Sequence, residues 1–132
     1  MSTLVIKSKK PIVVLDTSFL INELRSRHDV QSALEELIGP HKAIVPLPVL
    51  EELRRRPREI AWPALVMCSG FEILPCRSRS ADSCILRLAS SLRSNWILAT
   101  DDSSLLRSVR DMGVPVVYHS GKKLRLSFGK SD

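Results

Sequence analysis

Five short apolar runs, separated by amphipathic or polar stretches, constrain the fold of this chain more than any other property of its sequence. Pro11–Leu15, Lys42–Val45, Phe71–Leu74, Trp96–Ala99 and Val114–Tyr118 are nearly continuous apolar segments without regular polar alternation. Each is of strand length, and continuous apolar strands of this kind are buried on both faces. The stretches between them carry helical periodicity. Phe19, Leu20, Ile21 and Leu24 share one side of Thr17–Arg25, and Val30, Ala33, Leu34 and Leu37 share one side of Asp29–Ile38, which Gly39-Pro40 ends. Val49, Leu50 and Leu53 mark a third helix, broken by the run from Arg54 to Arg58. Glu59–Ser69 reads as helical despite Pro63. Ser80 caps a helix over Ala81–Arg93 with Ile85, Leu88, Ala89 and Leu92 as its stripe. Leu105, Leu106 and Val109 form the last helix, closed at Gly113. Strand and helix alternate throughout, which predicts an α/β fold with helices on both faces of a central, mostly parallel, five-stranded sheet.

With 132 residues the chain is expected to form a single domain over 1–132, with its core at about 11–126 and basic tails at both ends. No apolar run approaches the roughly 18 residues of a membrane span. The N-terminus holds Lys7, Lys9 and Lys10 but no apolar segment of a secretory signal, so secretion is not expected. Cys68, Cys76 and Cys84 form an odd set without a CxxC spacing, which predicts reduced thiols and a cytoplasmic protein. Twenty Lys and Arg against fourteen Asp and Glu give a formal charge of +6, suited to an anionic partner.

In a parallel α/β sheet, ligands bind beyond the carboxyl ends of the strands. The sequence puts acids there repeatedly. Asp16 follows the first strand, Glu51 and Glu52 lie on the helix after the second, Asp82 is in the first turn after the third, and Asp101 and Asp102 follow the fourth. Any one of these could be a helix cap, but four junctions supplying acid to one edge point to a shared site. Clustered carboxylates repel unless a cation neutralises them, and all-oxygen donors select Mg²⁺ or Mn²⁺. Such ions usually act on phosphates. With a basic surface, that combination suggests a nuclease. Glu51 and Glu52 point about 100° apart on a helix, so only one can face the pocket. A dehalogenase-like phosphatase is excluded because Ser18 stands where its second Asp belongs. A response-regulator receiver is excluded by Pro75 after the third strand, and no P-loop is present.

Four segments together resemble the PIN-domain nuclease family. Val13–Ile21 is similar to its opening strand–Asp–helix motif, Val49–Leu53 to the second, Ala81–Ile85 to the third and Ala99–Leu105 to the fourth. The resemblance implies a three-layer PIN-like fold and a Mg²⁺- or Mn²⁺-dependent endoribonuclease with one or two ions. Asp16, Glu52, Asp82 and Asp102 would be the catalytic and metal-binding acids, with Asp101 beside them as a further metal ligand. Ser18, Thr100 and Ser83 would support the carboxylates. The implied chemistry is in-line hydrolysis leaving a 5′-phosphate and a 3′-hydroxyl. Two positions depart from the usual wording: Ser83 stands where a second acid is common, and Asp101 where Asn is common. The motifs look most like the rRNA-processing PIN nucleases of archaea and eukaryotes. VapC toxins of toxin–antitoxin pairs, and a non-cutting RNA-binding module, are the alternatives. The corresponding partners are RNA, a ribosome precursor, an antitoxin protein or a second copy in a homodimer.

Arg54, Arg55, Arg56 and Arg58 follow Glu52, and Arg77 and Arg79 precede Asp82, so both groups are expected to hold RNA phosphates. Lys122, Lys123, Arg125 and Lys130 would extend that track as a tail. Trp62 and Trp96 are expected in the core or an interface, and Cys84 in the core. His28, His41 and His119 fall in separate elements and receive no role.

Overall fold

A computed structural model describes residues 10–26, 29–91 and 95–128. Lys7, Lys9, His28, Leu92, Arg93 and Lys130 lie outside the described residues. The chain runs β1 (Ile12–Leu15), α1 (Thr17–Ser26), α2 (Val30–Ile38), β2 (Lys42–Pro46), α3 (Leu47–Arg54), α4 (Arg58–Cys68), β3 (Glu72–Leu74), α5 (Ala81–Ser91), β4 (Trp96–Ala99), α6 (Ser103–Asp111), β5 (Val116–Ser120) and β6 (Lys123–Ser127). The strands form one sheet in the order β3-β2-β1-β4-β5-β6. The first five are parallel, and β6 pairs antiparallel with β5.

Why the strands are apolar at successive positions follows from the two faces they serve. Val13, Leu15, Ala43 and Val45 point into one core with Phe19, Leu20, Leu34, Val49, Leu53 and Ala64 of α1 to α4. Ile12, Val14, Ile44 and Leu98 point into the other with Ile85, Leu88, Leu105 and Val109 of α5 and α6. Side chains alternate across a strand, so a strand covered on both sides must be apolar at every step. The result is an α/β/α sandwich. Among the described residues, no helix is long and apolar enough to cross a membrane.

Three expectations need correction. The sheet has six strands, not five, because the basic stretch after β5 is a strand and not a tail. Lys123-Leu124-Arg125-Leu126-Ser127 alternates with period two. Leu124 and Leu126 pack on the α1–α4 core while Lys123 and Arg125 face solvent, a charged edge that discourages further pairing. Gly121, at φ 62°, makes the turn between β5 and β6, where a left-handed backbone favours glycine. Second, Cys76 and Cys84 form a disulfide with Cα atoms 6.3 Å apart, while Cys68 is free and buried. The bond links the β3–α5 loop to the first turn of α5, so the expected three reduced thiols are not found. Third, the core half of the Trp62 expectation falls, because Trp62 is 69% exposed on α4, and its interface half is untouched; Trp96 is in the core as expected.

Candidate functional site

Because β1, β2, β3 and β4 are parallel, the residues that follow them emerge at one edge of the sheet. Asp16 terminates β1 and is 4% exposed. Its Oδ2 accepts from Thr100 Oγ1 at 2.6 Å and from Ser18 Oγ at 3.2 Å. Burial raises the Asp16 carboxyl to about 6, an effect opposed by hydrogen bonds from Thr100, the Thr17 backbone and Ser18, and reinforced by the charge of Asp82.

Glu52 is fixed from two sides. Thr17 Oγ1 donates to its Oε1 at 2.8 Å, and the Ala81 backbone N–H donates to its Oε2 at 3.0 Å. The second bond places an acid at the N-terminus of α5, where the helix dipole favours negative charge. Glu51 is exposed, so Glu52 is the residue of this pair that faces inward. Motif reading overlooks Thr17; its place directly after Asp16 on α1 is the signal that marks it. Asp82 is solvent-exposed on the first turn of α5. Its carboxyl is raised by partial burial and then by repulsion from Asp102 and Glu52. Asp102 is the N-cap of α6, its Oδ1 accepting from the N–H groups of Ser104 at 3.0 Å and Leu105 at 3.1 Å. One carboxylate oxygen of Asp102 is therefore spent on the helix.

These four acids, from four separate junctions, act on one another electrostatically. Among the described residues, none of them pairs with a Lys or Arg, and no three His, Cys, Asp or Glu side chains are drawn close enough to hold an ion. The donors are all hard carboxylate oxygens, and their mutual repulsion is of the kind a divalent cation relieves, so the set fits Mg²⁺ or Mn²⁺ by chemistry.

Asp101 and Ser83 do something other than expected. Both oxygens of Asp101 are occupied. Oδ1 accepts from the His119 backbone N–H at 2.6 Å, while Oδ2 contacts His119 Nδ1 at 2.5 Å and accepts from Asn22 Nδ2 at 2.9 Å. Burial alone would raise Asp101, but the bonds from His119 and Asn22 hold it below the usual carboxylate range. Ser83 bonds Ser80 through both its N–H and its hydroxyl, and so belongs to the cap of α5. Ser18 and Thr100 do lie against Asp16. Ser18 Oγ also accepts from the Asp101 N–H at 2.9 Å, and Thr100 Oγ1 from the Asp102 N–H at 3.1 Å.

His119 has no role legible in the motifs, because β5, α1 and the β4–α6 junction are far apart in sequence. Its Nε2 lies 2.6 Å from Glu23 Oε1, opposite the Asp101 contact, and its ring packs on Phe19 with centroids 4.8 Å apart. Burial lowers an imidazole, but the two carboxylates outweigh it and raise His119 to about 9.

The basic residues expected to hold RNA are exposed. Arg54, Arg55, Arg56 and Arg58 are exposed where α3 passes into α4, and Arg77 and Arg79 are exposed on the loop leading from β3 to α5. The β5–β6 turn emerges at the carboxyl end of β5 and carries exposed Lys122 and Lys123. A hollow of about 540 Å³ bounded by Lys10, Gln31, His41 and Glu72 lies at the opposite, amino edge. It is therefore separate from the acids.

The sequence model of a family described as a PIN-like domain matches residues 13–122. Among solved structures, the chain is similar to the PIN domain endonuclease Utp24, with 25% identity, a TM-score of 0.79, and coverage of 87% of this chain and 90% of that one. It also resembles a domain of a functionally unknown protein from Methanocaldococcus jannaschii. There the identity is 16%, the TM-score 0.54 and the coverage 84% of this chain and 92% of that one, a likeness of fold alone. No curated protein matches.

Proposed function

The chain belongs to the PIN-like domain family, and from that premise we propose that it is a divalent-metal-dependent endoribonuclease acting in RNA processing, with residues 1–132 working as one unit. One observation supports the reading: Asp16, Glu52, Asp82 and Asp102 come from four junctions at the carboxyl edge, Asp82 is raised by the charges of Asp102 and Glu52 and in turn raises Asp16, and among the described residues no Lys or Arg pairs with any of the four. A scaffold gains nothing from opposed carboxylates, since their repulsion only weakens the fold. A structure similar to this one is named an endonuclease, which agrees with the chemistry of the acids.

Asp16, Glu52, Asp82 and Asp102 would hold Mg²⁺ or Mn²⁺, which when bound supplies charge neutralisation at a phosphate and activation of water. The chain's own residues prepare that site. Thr17 and the Ala81 N–H orient Glu52, while Ser18 and Thr100 hold the Asp16 carboxylate through its Oδ2. Supporting bonds of this type commonly govern metal affinity. Arg54, Arg55, Arg56, Arg58, Arg77, Arg79, Lys122 and Lys123 draw the RNA backbone to the edge.

The test is cleavage of structured and single-stranded RNA in Mn²⁺, Mg²⁺ or EDTA, comparing the natural protein with Asp16→Asn. Cutting is expected only with metal and only by the natural protein. Cutting in EDTA, or unchanged cutting by the variant, would overturn the mechanism. RNA binding by both proteins without cleavage by either would instead identify a non-cutting module.

A further inference from the structure

We propose that His119 is a positioning residue for the metal-binding acids, acting through Asp101. The proposal rests on the metal-nuclease reading above. Three donors converge on the two oxygens of Asp101: the His119 backbone N–H, the His119 ring and Asn22 Nδ2. An Asn at this position would turn an amide N–H toward at least one of those donors, so the site demands a carboxylate. This gives a physical reason for Asp at a position where the resembled family commonly has Asn. The fourth-motif departure and His119 are two halves of one arrangement.

His119 is held in turn. Its two ring nitrogens face carboxylate oxygens of Glu23 and Asp101 at 2.6 and 2.5 Å, an arrangement that uses both nitrogens as donors. With its side chain only 7% exposed and that of Glu23 fully buried, the imidazole ties β5 to α1 and to the β4–α6 junction.

The consequence reaches the pocket through the backbone. With its carboxylate clamped, Asp101 presents its N–H to Ser18 Oγ, and the next N–H, of Asp102, meets Thr100 Oγ1. Each hydroxyl is thereby occupied as an acceptor and is left to donate to Asp16 Oδ2. The same peptide sets the start of α6 and therefore the direction of Asp102. His119 thus fixes the aim of two of the four acids without touching them, and keeps Asp101 out of the pocket.

The test measures Mn²⁺ binding to the full chain by electron paramagnetic resonance, beside kcat and KM on a fluorogenic oligoribonucleotide. The proteins compared are natural, Asp16→Asn, His119→Ala, Asp101→Asn and the Asp101→Asn/His119→Ala double variant. Loss of such a supporting partner typically weakens metal binding by about 10–100-fold. His119→Ala and Asp101→Asn are each expected to show that loss, with kcat reduced and KM within about threefold of the natural value. The double variant is expected to be no worse than the poorer single, because both changes break one network. If His119→Ala does not fold, His119→Leu, which fills the space but has no side-chain N–H, replaces it.

Natural Mn²⁺ affinity and kcat in a folded His119 variant would show a purely structural histidine and overturn the proposal. So would independent, multiplicative losses in the double variant, or tighter binding in His119→Ala as Asp101 becomes a ligand. A natural protein that binds no Mn²⁺, or an Asp16→Asn variant that binds it equally well, would refute the metal-nuclease reading itself, and the proposal with it.

Discussion

Replacing Asp16 by Asn is expected to make the metal-free protein more stable while abolishing Mn²⁺ binding and cleavage. Asp16 is 4% exposed and its carboxyl is raised from an ordinary 3.8 to about 6, chiefly by burial. The folded state therefore holds the Asp16 proton more tightly than the unfolded chain does. Stability contributed by this group is intact below about 3.8, declines as pH rises through the interval, and carries its full penalty above about 6. At about 1.4 kcal/mol per pH unit, the penalty at neutral pH is about 3 kcal/mol. Asn avoids it, because an amide carries no charge to desolvate. Its N–H can donate to Thr100, whose hydroxyl can turn to Ser18 Oγ, 3.2 Å away. Allowing for imperfect replacement of the bonds to Asp16, a gain of about 1–3 kcal/mol is expected at pH 7.5. Urea denaturation in EDTA at pH 4, 5, 6 and 7.5 measures it. The gap between variant and natural protein should be near zero at pH 4 and grow to a plateau above pH 6. A variant less stable at every pH, or a gap independent of pH, would refute the burial argument whatever the variant does to cleavage.

Other perturbations separate the remaining roles. His119 is raised to about 9, so its contribution to stability is complete below about 6.5 and is lost as pH rises through about 9; this slope, read by denaturation, should be missing from His119→Ala. Thr100→Val removes the 2.6 Å bond to Asp16 and leaves a buried carboxylate short of a donor, at an expected cost of about 1–3 kcal/mol by thermal or urea denaturation. Glu52→Gln should eliminate cleavage and weaken Mn²⁺ binding, whereas Glu51→Gln, at an exposed position, should leave both near natural levels in the same assays. Changing Arg55 and Arg56 to Ala should weaken RNA binding similarly for unrelated sequences. It should also reduce the slope of log affinity against log salt by about one for each phosphate no longer neutralised.

Legibility from sequence followed the range of the interactions. The apolar runs of β1, β2 and β4 and the stripes of α1, α2 and α5 can be read because strand and helix periodicity are local. β6 escapes because its alternating Lys123–Ser127 segment is basic and short. It resembles a tail until Leu124 and Leu126 are seen against the core. Trp62 escapes in the opposite sense: apolar neighbours suggest burial, but α4 buries Ala61, Ala64 and Cys68 and turns Trp62 outward. The Cys76–Cys84 bond depends on how the β3–α5 loop folds back on α5, which spacing alone does not specify.

By itself, then, the sequence determined the order of elements as far as β5, the parallel part of the sheet and the acids that follow its strands. Parallel strands carry their C-terminal residues to one edge wherever helices return the chain. Only the tertiary structure decided what each acid does there. Asp101 and Asp102 are neighbours in sequence, yet one is enclosed by Asn22 and His119 while the other caps α6 and repels Asp82. Adjacent side chains leave the backbone in different directions. Which of them meets a partner depends on β5 and α1 arriving from 18 and 79 residues away.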